Sequence, residues 1–292
     1  MVTSSDSQTV IARNSGRRPT TIIRPPAITL SGLFQEVRKL SRYMDLLYTL
    51  SVHRVKVRYK QSVLGVAWAI LQPLALMLIY TFIFSYVARV DTGSTPYALV
   101  AFSGLLPWTC FSTALTNATN SLVSHANLVT KVYFPREILP LTYVIAALFD
   151  FAVASIMMFA LMIYYHVPIG INILYAVPII IALALFSTAM SFLFSATQVR
   201  FRDIGVAMPL LLQIWMFATP VVYPLSAVPQ RLRSIYSLNP LVGMIEGFRQ
   251  VILKGTPPNA SLLVISTLIS VVLLVIGYIY FKRVEATVAD II

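Results

Sequence analysis

Charge is what this sequence has least of. Asp, Glu, Lys and Arg make up 11 % of its 292 residues, against 58 % hydrophobic, whereas a soluble domain carries about 25 % charge to face water. So little polar material cannot clothe a globule of this size. A soluble domain is thereby excluded, and lipid must replace water over much of the surface. Acid is scarcer still: beyond Ser62 there remain only Asp91, Glu137, Asp150, Asp203, Glu246, Glu285 and Asp290. Scattered in this way, they offer little to a membrane glycosyltransferase, which needs acids to bind a metal or act as a base. Cys110 is the lone cysteine, so no internal disulfide forms. No Gly-x-x-x-x-Gly-Lys-Ser/Thr loop is present, which excludes ATP hydrolysis by that route. His-x-x-x-His, Cys-x-x-Cys and nucleophile-elbow patterns are missing too, and His53, His125 and His166 read as ordinary interfacial residues. The first residues lack the charged-then-apolar pattern of a signal peptide.

What charge there is lies unevenly. Eleven of the 22 Lys and Arg precede Ser62, against Asp6, Glu36 and Asp45, the mark of a cytoplasmic leader to a first span. A nucleic-acid-binding tail would need a folded soluble domain to serve, and none follows. Residues 1–29, rich in Ser, Thr, Arg and Pro up to Pro26, are expected to be a disordered cytoplasmic tail. Over 30–62, Leu30, Leu33, Phe34, Val37, Leu40, Met44, Leu47 and Tyr48 fall at helical spacing opposite Glu36, Arg38, Lys39, Arg42 and Asp45. That pattern predicts an amphipathic helix lying in the cytoplasmic interface.

The remainder, 63–292, reads as an all-α membrane domain of six spans, near Val63–Val87, Tyr97–Leu122, Ile138–Tyr165, Ile173–Val199, Gly205–Val222 and Leu262–Phe281. The tail, Lys131 with Arg136, Arg200 with Arg202, and Lys282 with Arg283 then face the cytoplasm, as do both termini. Between Val222 and Ser261 the rule is broken by Arg231, Arg233, Arg249 and Lys254, among five prolines. The apolar middle of that stretch, Leu241–Leu253, is too short to cross; it predicts re-entrant or interfacial half-helices on the outer side. Reading it as a seventh span would place the C-terminus outside. Glu246 and Arg249 share a helical face and are expected to pair, with exchange of the two charges partly restoring function.

Asp150 is the acid well inside a span. A proton-coupled carrier would use such a group; the plainer reading is a hydrogen-bonded acid tying two helices together. Aromatics crowd the spans, Tyr80, Phe84 and Tyr86 at one end and Trp68, Trp108 and Trp215 deeper. Most aromatics near span ends form interface belts, but faces lining a wide path would bind sugar rings without fixing their identity. Thr109, Ser112, Thr113, Thr116, Asn117, Thr119 and Asn120 must face other helices or a watery path.

Four motifs carry a resemblance. Tyr59-Lys60-Gln61-Ser62-Val63-Leu64-Gly65 with Trp68 and Leu71-Gln72-Pro73-Leu74 comes first. Lys131-Val132-Tyr133-Phe134-Pro135-Arg136-Glu137-Ile138-Leu139-Pro140-Leu141 is second. Arg200-Phe201-Arg202-Asp203-Ile204, and then Asn239-Pro240 with Glu246-Gly247-Phe248-Arg249, complete the set. In this order, in register with the spans from about Tyr48 onward, they resemble the permeases of type-2 ATP-binding-cassette exporters for lipid-linked polysaccharide: O-antigen, capsule or teichoic acid chains. The resemblance implies a homodimer in the bacterial inner membrane with two separate ATPase subunits, which bind ATP and Mg, while this chain holds no cofactor and no metal. It also implies a substrate on undecaprenyl diphosphate or a phospholipid, and no nucleic acid.

Within that reading, Arg54, Arg58 and Lys60 are expected to meet the lipid head group. Trp68, Tyr80, Phe84, Trp108 and Trp215 are expected to line the polysaccharide path, and Arg200, Arg202 and Asp203 to form a cytoplasmic loop. Leu128–Glu137 is expected to be a short coupling helix whose Val129, Val132, Tyr133 and Phe134 dock into the ATPase within a rim of Lys131, Arg136 and Glu137. The runner-up, an ion- or proton-coupled carrier of a small solute, predicts internal repeats, and the two halves show none that is clear.

Overall fold

A computed structural model describes residues 41–60, 62–87 and 95–291. The expected tail, the interface helix over 30–40 and the loop bearing Arg89 and Asp91 lie outside them.

In hydrocarbon every backbone N–H and C=O must be paired within the protein, so apolar runs of spanning length become helices. Five do so among the described residues: Gly65–Ser85, Tyr97–Thr119, Ile138–Tyr164, Ile171–Arg200 and Ala260–Glu285. The chain is a multi-pass membrane protein, helical and without strands over the described residues. Its elements are α1 (Met44–Tyr59), α2 (Trp68–Thr81), α3 (Tyr97–Thr119), α4 (Ala126–Lys131), α5 (Ile138–Tyr164), α6 (Ala176–Arg200), α7 (Asp203–Phe217), α8 (Gln230–Tyr236), α9 (Pro240–Arg249) and α10 (Ala260–Ile291).

The expected fifth span, Gly205–Val222, is not one continuous helix. α7 has 15 residues, about 22 Å at 1.5 Å per residue against a hydrocarbon core of about 30 Å. Pro220 brings no N–H to a continuing helix and biases Thr219 away from the α region. The chain therefore leaves the helix after Phe217 and runs irregularly to Tyr223.

α3 is the axis of the bundle, buried along nearly its whole length. Its neighbours are α5 and α6, with α10 along α6 and α2 against α3 and α5. Lipid tails are as apolar as leucine, so close packing and internal hydrogen bonds hold such helices together rather than flight from water. The small side chains of Ala98, Ala101, Gly104, Ala114 and Ala118 let neighbours approach. At Gly104 a Cβ would lie 2.0 Å from the Val221 carbonyl oxygen, so no other residue fits. The hydroxyls of Thr109, Ser112, Thr116 and Thr119 donate to carbonyls three or four residues back, and the Asn117 amide does likewise. That is how so polar a helix end remains inside the bundle.

α1 runs beside α5, from Leu47 and Ser51, buried near the Thr119 end of α3, to Tyr59 at the middle of α5. The turn out of α1 passes through Gly65 at φ +50, in the left-handed region that glycine enters without strain. At the Thr119 end a second apolar cluster joins Leu47, Leu122, Val129, Phe134, Ile138, Phe192, Phe281 and Val284. α8 and α9 sit at the opposite end, where α3 begins.

Candidate functional site

The first constellation lies at mid-bundle. Asp150 is near the centre of α5, and the last turn of α1 reaches it: Arg58 Nη1 stands 2.5 Å from Oδ2, and the Tyr59 hydroxyl donates to Oδ1 at 2.5 Å. Asp150 is thus a hydrogen-bonded acid tying two helices together, the plainer of its two readings, and its partners come from a segment outside the expected spans. A cleft opens beside them, lined also by Trp68, Gln72, Thr109 and Thr113. One turn earlier on α1, Arg54 Nη2 lies 2.6 Å from His125 Nε2 and its Cζ 4.6 Å above the Tyr143 ring. A guanidinium can only donate, so Nε2 accepts and Nδ1 carries the proton, 2.9 Å from the Ser121 carbonyl. Burial holds the His125 pKa below its ordinary value. Of the three residues expected at a lipid head group, Arg54 and Arg58 are therefore drawn onto the helix bundle, while Lys60 stays exposed.

The aromatics divide. Trp108 is 5 % exposed and packs with Phe111, which in turn meets Phe186 and Trp215 at centroid distances of 5.2 Å. These rings fill the core between α3, α6 and α7. Tyr80 and Phe84 are half-buried and continue onto Tyr97. Trp68 alone of the five expected path residues is largely open, 51 % exposed at the rim of the cleft.

At the end where α3 begins, Arg249 is 3 % exposed. Its Nη1 meets Glu246 Oε2 at 3.0 Å, and its Nη2 donates to the carbonyls of Val221 and Pro220 at 2.9 and 3.1 Å. The irregular chain after α7 is thereby held to α9, while Tyr97 donates to the Val222 carbonyl. Asn239-Pro240 is the start of α9: the Asn239 side chain accepts from Leu241 N at 3.2 Å and donates to Thr219 at 2.8 Å, a cap followed by proline at the first helical position.

The loop between α3 and α5 departs from its expected form. Its helix is Ala126–Lys131 and not Leu128–Glu137; Val132 is extended, and Phe134, preceding Pro135, is disfavoured in the α region. Val129 and Phe134, expected to be exposed anchors, are 3 % and 6 % exposed and pack into the apolar cluster, because a large apolar side chain with a core within reach buries itself. Val132 and Tyr133 stand out at 52 % and 96 % exposed. Arg136 and Glu137 turn toward α10: the Arg136 guanidinium donates to the Glu285 carbonyl, its backbone N–H to Glu285 Oε1 at 3.1 Å, and Lys282 bridges Glu137 and Glu285 at 2.9 and 2.8 Å. Burial, and then the nearby Glu285, push the Glu137 carboxyl upward while Lys282 pulls it back. Arg200, Arg202 and Asp203 form an exposed turn, anchored by Gln198, whose Nε2 donates to the Arg202 carbonyl and to Asn120. Among the described residues no three His, Cys, Asp or Glu side chains gather to hold a metal.

Residues 26–253 match the family model described as ABC-2 type transporter. The chain belongs to the ABC-2 type transporter family. Among its relatives is the O-antigen export system permease protein RfbA of Myxococcus xanthus, 35 % identical over 241 residues, 82 % of this chain and 92 % of the relative. The protein of the same name in Klebsiella pneumoniae is 30 % identical over 254 residues, 87 % of this chain and 97 % of that one. The chain is therefore a transmembrane permease subunit of the ABC-2 type.

Several members of these clusters escaped sequence reasoning. Glu285 and Lys282 lie more than a hundred residues from the loop they hold, and the carbonyls around Arg249 leave no trace in side-chain spacing. His125 and Tyr143 carried no motif; the signal that could have found them was Arg54, a second basic residue one helical turn before Arg58 and in need of partners of its own.

Proposed function

We propose that this ABC-2 permease is the membrane half of an ATP-driven exporter that moves lipid-linked O-antigen polysaccharide, most simply on undecaprenyl diphosphate, out of the cytoplasm. The observation that carries this reading is the match to O-antigen export permeases over 92–97 % of their own length, which leaves no large part of those proteins unaccounted for. In this reading the protein sits in the bacterial inner membrane as a homodimer, with two ATPase subunits on its cytoplasmic face supplying ATP and Mg. The Thr119 end of α3 is the cytoplasmic end, as the basic Lys131, Arg136, Arg200, Arg202 and Lys282 support. α7 and the irregular chain to Tyr223 together make the fifth of six crossings, which keeps both termini inside. Lys131 to Glu137 is the coupling segment, with Val132 and Tyr133 as its exposed knob. Trp68, open at the rim of the cleft, belongs to the inner part of the polysaccharide path.

Deletion of the gene in its host tests the proposal. Surface O-antigen should vanish while lipid-linked polysaccharide accumulates in the cytoplasm, and the full-length chain should restore export. Normal surface O-antigen in the deletion strain would overturn it.

A further inference from the structure

The export reading leaves the cluster at Asp150 without a task. A carboxylate at the middle of a span is costly unless it is paired, and a pair kept only for structure gains from being closed off. This pair is not closed off. The Arg58 side chain is 39 % exposed, against 16 % for Asp150, and the contact runs through a single guanidinium nitrogen. The cleft beside it is lined by Trp68, Gln72, Thr109 and Thr113: one open aromatic face and three side chains able to donate or accept hydrogen bonds. Tyr59, adjacent in sequence, holds the other oxygen of the same carboxylate.

Resting on that export reading, we propose that Arg58, Tyr59 and Asp150 form an exchange latch for the phosphate groups of the lipid-linked substrate. In the empty cleft Asp150 stands in for the anion and spares Arg58 an unpaired charge at mid-span. An arriving diphosphate takes over the guanidinium, whose planar fork suits two phosphate oxygens. Asp150 keeps the Tyr59 hydroxyl and remains beside the phosphate as a like charge. That repulsion limits the affinity, so the head group leaves again; a site along a conduction path must bind well enough to admit its cargo and weakly enough to release it. Asp150 is thus the internal competitor and Tyr59 the group that sets how strongly it competes.

The test is equilibrium binding of farnesyl diphosphate, a short polyprenyl diphosphate, to the full chain in lipid nanodiscs. Asp150→Asn removes the competitor and keeps the shape, so affinity should rise on the order of tenfold, the effect of about 1.4 kcal/mol, and export should slow. Tyr59→Phe throws Asp150 wholly onto Arg58, so affinity should fall several-fold. Arg58→Ala should abolish binding. These opposite signs cannot come from a structural pair, which predicts that all three variants melt earlier and bind no better; that result overturns the latch. Inorganic diphosphate competing as well as farnesyl diphosphate would mark a site for free anions and overturn the lipid head group as its ligand. If wild type exports polysaccharide but Asp150→Asn binds no tighter, the latch alone fails. If wild type neither exports polysaccharide nor binds the probe, the export reading fails with it.

Discussion

Replacing Arg249 by methionine keeps an unbranched apolar stem and removes every donor. The arginine is 3 % exposed and engages Glu246 together with the carbonyls of Pro220 and Val221. Breaking a buried ion pair by removing one partner costs about 3–5 kcal/mol, because the other charge stays buried. Each orphaned carbonyl adds roughly 1–3 kcal/mol, not additively. At about 2–4 °C per kcal/mol for a chain of this size, Arg249→Met should lower the melting temperature by on the order of 10 °C or more. Arg249→Lys keeps the charge, but an ammonium cannot fork across Glu246 and two carbonyls, so a smaller loss of a few degrees is expected. Spacing alone suggests that exchanging the two charges would restore the pair. The carbonyls argue the reverse: a carboxylate at position 249 would face acceptors with no proton to offer, so the exchanged protein should be no better than either single variant. The assay is thermal unfolding of the detergent-purified protein followed by tryptophan fluorescence. Arg249→Met melting within about 2 °C of wild type, a shift worth under 1 kcal/mol, or recovery in the exchanged protein, would refute the reasoning.

The coupling segment should split into two kinds of residue. Phe134→Ala should cost about 3–5 kcal/mol of stability by opening a cavity in the apolar cluster, whereas Tyr133→Ala should melt within about 0.5 kcal/mol of wild type yet reduce ATPase co-purification. Gly104→Ala should destabilise by about 1–3 kcal/mol, since its Cβ would collide with the Val221 carbonyl at 2.0 Å; unfolding in denaturant measures it. His125 gives a pH dependence. Its folded pKa is depressed below its ordinary 6.5 by burial, so protonation is disfavoured in the folded state. The stability it contributes is fully present above pH 6.5 and falls away as pH drops through the lower folded value. The melting-temperature gap between wild type and His125→Gln should therefore be flat above neutrality and close on acidification.

Much of this was legible in the residues. The membrane class and five of the six expected spans, each to within about four residues at either end, followed from apolar run length, because hydrocarbon leaves the backbone no alternative to helix. α7 was not legible: length and hydropathy do not register that Pro220 stops a helix early. Spacing put Glu246 and Arg249 on one face, but their carbonyl partners come from chain segments far away in sequence. Val129, Val132, Tyr133 and Phe134 were read as an exposed knob, and Val129 and Phe134 turn inward. Apolar side chains beside a polar rim look the same in sequence whether they dock on a partner or on their own core, and only packing against Leu122 and Ile138 decides. The partners of Asp150 escaped for a related reason: α1 was assigned to the interface by polarity, while its last turn climbs beside α5.

In the proposed function this permease drives lipid-linked O-antigen across the membrane with ATP supplied by a partner. The most direct measurement co-expresses the chain with its ATPase, reconstitutes both in vesicles with the nucleotide sites facing out, and loads the outer leaflet with lipid-linked O-antigen bearing a terminal sugar cleavable by an added glycosidase. ATP, and not a non-hydrolysable analogue, should make the polysaccharide resistant to the glycosidase over time, and vesicles lacking either protein should stay fully sensitive. ATP hydrolysis with no gain of protection, or protection driven by an ion gradient without ATP, would contradict it.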